Sequence, residues 1–328
     1  MSARVALPEP DPERLAQASE LAERAPLPAR VGRILTGTAG WTDRTLVQSK
    51  TFYPSGVSSA EERLRHYAAH FPLVEVDATY YSLLPPTTSQ RWLEWTPLDF
   101  RFDVKAFPVL TGHPIDVTRL PADLRAACVA SGHERRVYPD ALEPELKNEM
   151  IGRFLDFVAP LYEAGRLGAV CLQYPPWFTA TRKNARHIEE TRRALPEALP
   201  LAIEFRHPSW FVPERRERVR ALLASIDASF VCTDAPSESI GSILVTSPRL
   251  AIVRFHGRNV QGFFKRGASV MERFDYLYVP DELRSWMAPL RTLSENAEAV
   301  HAVFNNCVRN YAVLNAKDLA ALLSAEQS

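Results

Sequence analysis

The sequence has no excess of charge of either sign: 39 Lys+Arg stand against 39 Asp+Glu in 328 residues. A protein that grips nucleic acid over a broad face shows a strong basic excess. Nucleic acid is therefore not favoured as a partner, although a local basic groove stays open. No run of eighteen apolar residues occurs, which excludes a transmembrane helix. The start lacks the basic, then apolar, then small pattern of a secretory signal. The four cysteines, Cys128, Cys171, Cys232 and Cys307, form no C-x-x-C pair. Neither a structural zinc site nor a disulfide framework is indicated, and the expectation is a cytoplasmic protein with reduced thiols. Also missing are H-x-H and H-E-x-x-H metal spacings and a G-x-S-x-G nucleophile turn.

What is present is a repeat of short apolar runs rich in Val, Ile and Phe, most of them followed by a helical segment. The runs are 34–38, 73–77, 102–106, 169–174, 201–206, 229–234, 251–256 and 301–305. Continuous apolar runs of this length suit strands buried on both faces, as in parallel sheets. Helix signals lie between them. Ser59 and Glu62 form a capping box before Leu64, Tyr67, Ala68 and Phe71, and Thr87 and Gln90 repeat the pattern before Trp92. Pro213 and Pro280 suit helix starts. Eight strands alternating with helices over about 290 residues predict a (β/α)8 barrel of TIM type. Two departures are expected: a short or missing helix between strands six and seven (235–250), and a long insertion between strands three and four (107–168). A doubly wound sheet is the runner-up, but 37–41 is not its Gly-rich dinucleotide turn. Residues 1–30 read as a tail or a loosely docked helix, and 31–328 as a single barrel domain.

Nine blocks match a known family in order: GTAGW (37–41), FYP (52–54), HYAAHFPLVEVDATYY (66–81), FRFDVKAF (100–107), LQYPPWF (172–178), IEFRHPSWF (203–211), TDAPS (233–237), VRFHGR (253–258) and FNN (304–306). The chain resembles the DUF72, or YecE-like, family. The resemblance implies a TIM-type barrel and no particular reaction. Asp77 stands where such proteins typically carry Asn, and Ala39 where they usually carry Ser.

Barrel enzymes place their chemistry at the carboxyl ends of the strands. Side chains two apart along a strand share a face, which groups Glu75, Asp77 and Thr79, then Glu204 with Arg206, and Arg254 with His256. Lys105, Gln173, Asp234 and Asn305 end other strands. Polar groups inside apolar strands are costly unless paired or functional. One at nearly every strand end predicts an enzyme-like mouth; the plain alternative is a structural ion-pair network. The sign balance suits a small anionic substrate, phosphorylated or sugar-like. Glu204 and Asp234 are the acid–base candidates, His256 a proton shuttle and Lys105 a charged or nucleophilic amine. Glu75, Asp77, Gln173, Arg206, Arg254 and Asn305 would bind and orient the substrate. Trp41, Tyr80, Trp177 and Trp210 would offer ring faces. Arg258 and Lys265, in the loop after strand seven, would hold a phosphate.

The expected chemistry is that of a hydrolase, lyase or isomerase. A metal-dependent phosphodiesterase or nuclease is one alternative, since carboxylates and His can bind a divalent metal. A non-catalytic ligand- or nucleic-acid-binding barrel is another. No cofactor is predicted, no membrane is implied, and oligomeric state is not legible.

Overall fold

The fold comes from a computed structural model that describes residues 7, 9–236 and 243–327. Eight strands lie where the apolar runs placed them, with no end moved by more than two residues. They are Ile34–Ala39 (β1), Leu73–Val76 (β2), Arg101–Lys105 (β3), Leu167–Gln173 (β4), Leu201–Glu204 (β5), Ala228–Asp234 (β6), Leu250–Phe255 (β7) and Ala299–Phe304 (β8). The sheet runs β1, β8, β7, β6, β5, β4, β3, β2 and closes through a β2–β1 pairing. The result is a closed eight-stranded parallel barrel of TIM type. A two-residue strand, Arg30–Val31, adds to β1 antiparallel.

Buried β-branched and aromatic residues make these strands. In β4, Ala169 and Val170 have no exposure; in β8, Val300, Ala302, Val303 and Phe304 have none. Each large apolar side chain removed from water contributes about 1.5–3 kcal/mol. Gly37 has a specific reason to be glycine. It is registered opposite Leu73, and a Cβ there would fall 2.2 Å from the Leu73 carbonyl oxygen.

By its internal packing the chain divides into two compact units, residues 1–75 with 231–328, and residues 76–230. In the first, Ser59 and Glu62 form the expected capping box on helix Ala60–His70. Helix Pro12–Ala22 is capped by the Asp11 side chain and buries Ala18 and Ala22 among Val308, Tyr311 and Leu314. Its Arg14 donates to Leu277 O at 3.1 Å. Pro280 opens a short helix, Pro280–Arg284, and a second, Met287–Asn296, follows it. The link between β6 and β7 falls partly outside the described residues, and so does Ser237 of the TDAPS block.

In the second unit the Thr87–Gln90 pattern does not cap its helix. Pro86 occupies the first turn instead, and no side chain caps the start. Pro213 lies in a 3-10 turn that leads into helix Arg216–Ser225. The insertion after β3 folds into a small hairpin (Ile115–Asp116 with Arg136–Val137), helix Ala122–Ala130 and the twenty-residue helix Pro144–Glu163. Val117 and Cys128 in it are fully buried. No helix among the described residues is long and apolar enough to cross a membrane.

Candidate functional site

Within residues 76–230, the carboxyl ends of the strands carry a polar cluster. β2 stops at Val76, and Ala78–Tyr81 is a helical turn. Thr79 therefore leaves the strand alternation that grouped it with Glu75 and Asp77. Its buried hydroxyl donates to Lys105 O at 2.6 Å, tying this turn to the end of β3. Lys105 Nζ lies 3.5 Å from Asp77 Oδ1 and 4.6 Å from the centroid of the Tyr80 ring. A carboxylate and a ring face both attract an ammonium. Asp77 Oδ1 is buried and makes no hydrogen bond. Next along the sheet, Gln173 and Glu204 are registered opposite each other at the ends of β4 and β5. Gln173 Nε2 donates to Glu204 Oε1 at 2.9 Å, and Arg206 Nε approaches the same oxygen at 2.5 Å. Glu204 is buried and is thus fixed by an amide and a guanidinium.

His113 belongs to this cluster, and its role was not legible in the sequence. It comes from the loop after β3, where no periodicity marks it. Its Nδ1 lies 2.9 Å from Thr111 Oγ1. Its ring meets Tyr80 edge-on at 5.3 Å and Trp177 at 5.9 Å. Burial first, then the charges of Lys105 and Arg206, push its pKa down to about 4, so the imidazole is neutral at pH 7. Burial also pushes the Tyr80 phenol up to about 12. Trp177 is 57% exposed beside His113.

Trp210 does not present a ring face as expected. It is buried, its ring stacks on Phe205 at 4.1 Å, and its Nε1 donates to Phe178 O at 2.7 Å. A Pro-x-Trp-Phe loop carries no sequence signal that tells a ligand platform from a packed ring.

Within residues 1–75 and 231–328, the polar groups are more completely paired. Arg254 Nη2 reaches Glu75 Oε1 at 2.5 Å, and both side chains are buried. Asp234, at the end of β6, accepts from Arg258 Nε and Nη2 at 2.9 and 2.6 Å. It also accepts from Tyr278 OH at 2.9 Å and Trp286 Nε1 at 2.6 Å. This carboxylate is saturated with donors, which is the signature of an anchor rather than of an acid–base group. Gly257, at φ +85°, makes the turn that follows β7 and precedes Arg258. Arg258 therefore faces a carboxylate already, and its pKa is raised first by that hydrogen bond. Lys265 is paired with Glu272 on the surface. Both cations expected to hold phosphate are thus neutralised by the protein itself.

His256 and Asn305 follow the registered pair Phe255 and Phe304. Asn305 Nδ2 lies 3.0 Å from His256 Nδ1. With the amide donating, the ring carries its proton on Nε2. Cys307 Sγ sits 3.7 Å from Asn305 Oδ1. Trp41 is buried, and its carbonyl accepts from Tyr53 OH.

A divalent metal does not fit the donors present. Glu75 is held by Arg254, Glu204 by Arg206 and Gln173, and Asp234 by Arg258, Tyr278 and Trp286. Among the described residues no three His, Cys, Asp or Glu side chains gather as a metal site requires.

A closed parallel barrel with polar side chains at the carboxyl ends of its strands defines the class of TIM-type barrels. Within it the chain belongs to the DUF72 family: the family described as "Protein of unknown function DUF72" matches residues 35–328. It is similar to the UPF0759 protein YunF of Bacillus subtilis, 30% identical over 302 residues, covering 90% of this chain and 96% of YunF. It also resembles the UPF0759 protein YecE of Escherichia coli K12, 30% identical over 163 residues, about half of each chain. Crystal structures of two DUF72 family proteins share the fold. One from Enterococcus faecalis V583 has a TM-score of 0.71 at 26% identity, over 89% of this chain and 95% of its own. One from Thermotoga maritima MSB8 has a TM-score of 0.68 at 28% identity, over 89% and 99%.

Proposed function

We propose that the protein is an enzyme acting on a small anionic substrate at the strand ends of residues 76–230. The reading rests on one juxtaposition: Lys105 lies over the Tyr80 ring that meets buried His113 edge-on, and burial, then the charges of Lys105 and Arg206, lower the pKa of that imidazole. Two cationic side chains near a neutral hydrogen-bonding ring suit a carboxylate or phosphate group. Lys105, whose carboxylate neighbour Asp77 is 3.5 Å away, holds the anion, aided by Arg206, which meets Glu204 through Nε where Arg258 meets Asp234 through both Nε and Nη2. Glu204, oriented by Gln173 and Arg206, takes and returns a proton. His113 hydrogen-bonds the substrate without adding charge, and Trp177 covers its apolar or sugar-like part. Proton transfer beside a held anion serves hydrolysis, elimination or isomerisation. Asp234 and the Glu75–Arg254 pair serve as supports in their own unit.

The test is a thermal-shift series on the full chain with inorganic phosphate, phosphosugars and nucleotides. Stabilisation by at least one anion is expected, together with its loss in a folded Lys105→Met/Arg206→Gln variant. No stabilisation by any anion, or equal stabilisation of the variant, overturns the site. Turnover of a stabilising anion that stops in Glu204→Gln supports the enzyme. Binding with no turnover of any stabilising anion leaves a ligand-binding barrel instead.

A further inference from the structure

Away from the strand-end cluster, the residues 76–230 unit has a second concavity. A groove of about 200 Å3 lies between helix Arg182–Arg193, after β4, and helix Arg216–Ser225, after β5. Its apolar lining comes from Ala185, Val219 and Leu222, with the largely buried Trp210 touching it. Three arginines, Arg182, Arg215 and Arg218, stand around it, and no carboxylate does. Arg215 Nη1 donates to Ser209 O at 2.9 Å, which ties that guanidinium to the loop carrying Trp210. Of the four Glu in the two flanking segments, Glu217 pairs with Arg220 and Glu189 lies 3.6 Å from Arg193. Segments 182–193 and 213–220 together hold nine Arg or Lys against four Glu, in a chain of zero net charge.

We propose that this groove docks an acidic peptide segment of a partner protein, anchored by one large apolar side chain. Charge complementarity selects the acidic residues. The apolar lining and the volume suit a single Leu or Phe, the kind of buried anchor that dominates interface energy. A peptide suits better than a small anion because the charge continues past the groove. Lys183 and Arg186 on the same helix are exposed and pair with no carboxylate among the described residues. A ligand filling only the groove would leave them unused.

The experiment is fluorescence anisotropy of the full chain with a labelled twelve-residue peptide of alternating Asp and Glu around one central Phe. Saturable binding that weakens with salt is expected. Affinity should fall about tenfold or more in Arg182→Glu/Arg218→Glu, and by a similar factor when the peptide Phe becomes Ala. Both arginines are exposed, so circular dichroism should find the variant folded. Leu222→Asp, which places a like charge in the groove, should weaken binding as well. The Lys105→Met/Arg206→Gln variant should bind the peptide normally, which separates this surface from the substrate site. No binding at about millimolar peptide, unchanged affinity in the arginine variant, or indifference to the Phe overturns the proposal. So does phenyl phosphate displacing the peptide at equal concentration, since the groove would then be a small-anion site.

Discussion

Asp234 and Asp77 are the same residue type at comparable places, one ending β6 and the other following β2, yet their surroundings differ. Asp234 receives donors from Arg258, Tyr278 and Trp286. Asp77 has one ammonium at 3.5 Å and a buried oxygen with no hydrogen bond. The first arrangement holds a loop and a helix to a strand end. The second leaves capacity for something else. Burial of a carboxylate at a barrel strand end is therefore not a functional signal by itself; what separates anchor from candidate site is how completely the protein satisfies it.

The largest expected effect comes from breaking the saturated side of this contrast. Asp234→Ala strips the partner from a half-buried guanidinium and two buried N–H or O–H donors. It should cost about 3 kcal/mol or more in urea unfolding. Asp77→Ala, measured the same way, should cost about 1 kcal/mol or less. Equal losses would erase the distinction between the two units.

The next effect concerns ligand response. Arg206→Gln alone should reduce the affinity of a stabilising anion about tenfold, the worth of one charge-assisted hydrogen bond. Arg258→Gln should leave that affinity unchanged, because Arg258 belongs to the other unit and both its Nε and Nη2 donate to Asp234. Isothermal titration calorimetry with the best anion from the thermal-shift series reads both. A larger loss from Arg258→Gln would move the site to the other unit.

The barrel was legible because each strand is a continuous apolar run closed by a polar residue, and because β-branched residues buried on both faces leave few other folds. Strand ends were less legible. Leu73 to Thr79 alternates plausibly, but the chain turns helical after Val76, and hydrogen bonds to Val76 O and to the distant Lys105 O place Thr79. The saturation of Asp234 was invisible for a similar reason: its partners Tyr278 and Trp286 are 44 and 52 residues downstream, in a segment with no motif. His113 is the residue whose place in the cluster the sequence marks least. A lone His in an irregular insertion has no spacing to betray it, and its importance comes wholly from Tyr80, Trp177, Lys105 and Arg206.

A buried carboxyl in the last helix offers a third measurement. Asp318 is fully buried, accepts from Asn315 Nδ2 at 3.1 Å, and is pushed up to about 8 by desolvation. The folded protein then binds the proton more tightly than the unfolded chain between about pH 4 and pH 8. Stability is lost as pH rises through that window. Asp318→Asn removes the proton and keeps the shape. It should raise Tm by several degrees at pH 8 and leave it nearly unchanged at pH 4. A variant less stable at both values would show that the carboxylate form is the one the fold uses.

The smallest effect, and the most direct probe of the less satisfied cluster, is the titration of His113. Its folded pKa of about 4 lies below the ordinary 6.5, so between those values the unfolded chain binds more protons. Acidification through that window should lower stability, and the loss should level off below about pH 4. His113→Asn should flatten this part of the pH–stability curve. An anion held by Lys105 and Arg206 would offset the charges that add to burial in suppressing protonation, so the imidazole pKa should rise when the anion binds. By linkage, affinity for that anion should increase as pH falls from 7 towards 5. NMR of the His113 ring with and without phosphate reads the shift directly. A ring that titrates near 6.5 in the free protein, or that ignores a bound anion, would separate His113 from the two cations and reduce the cluster to a surface ion-pair network.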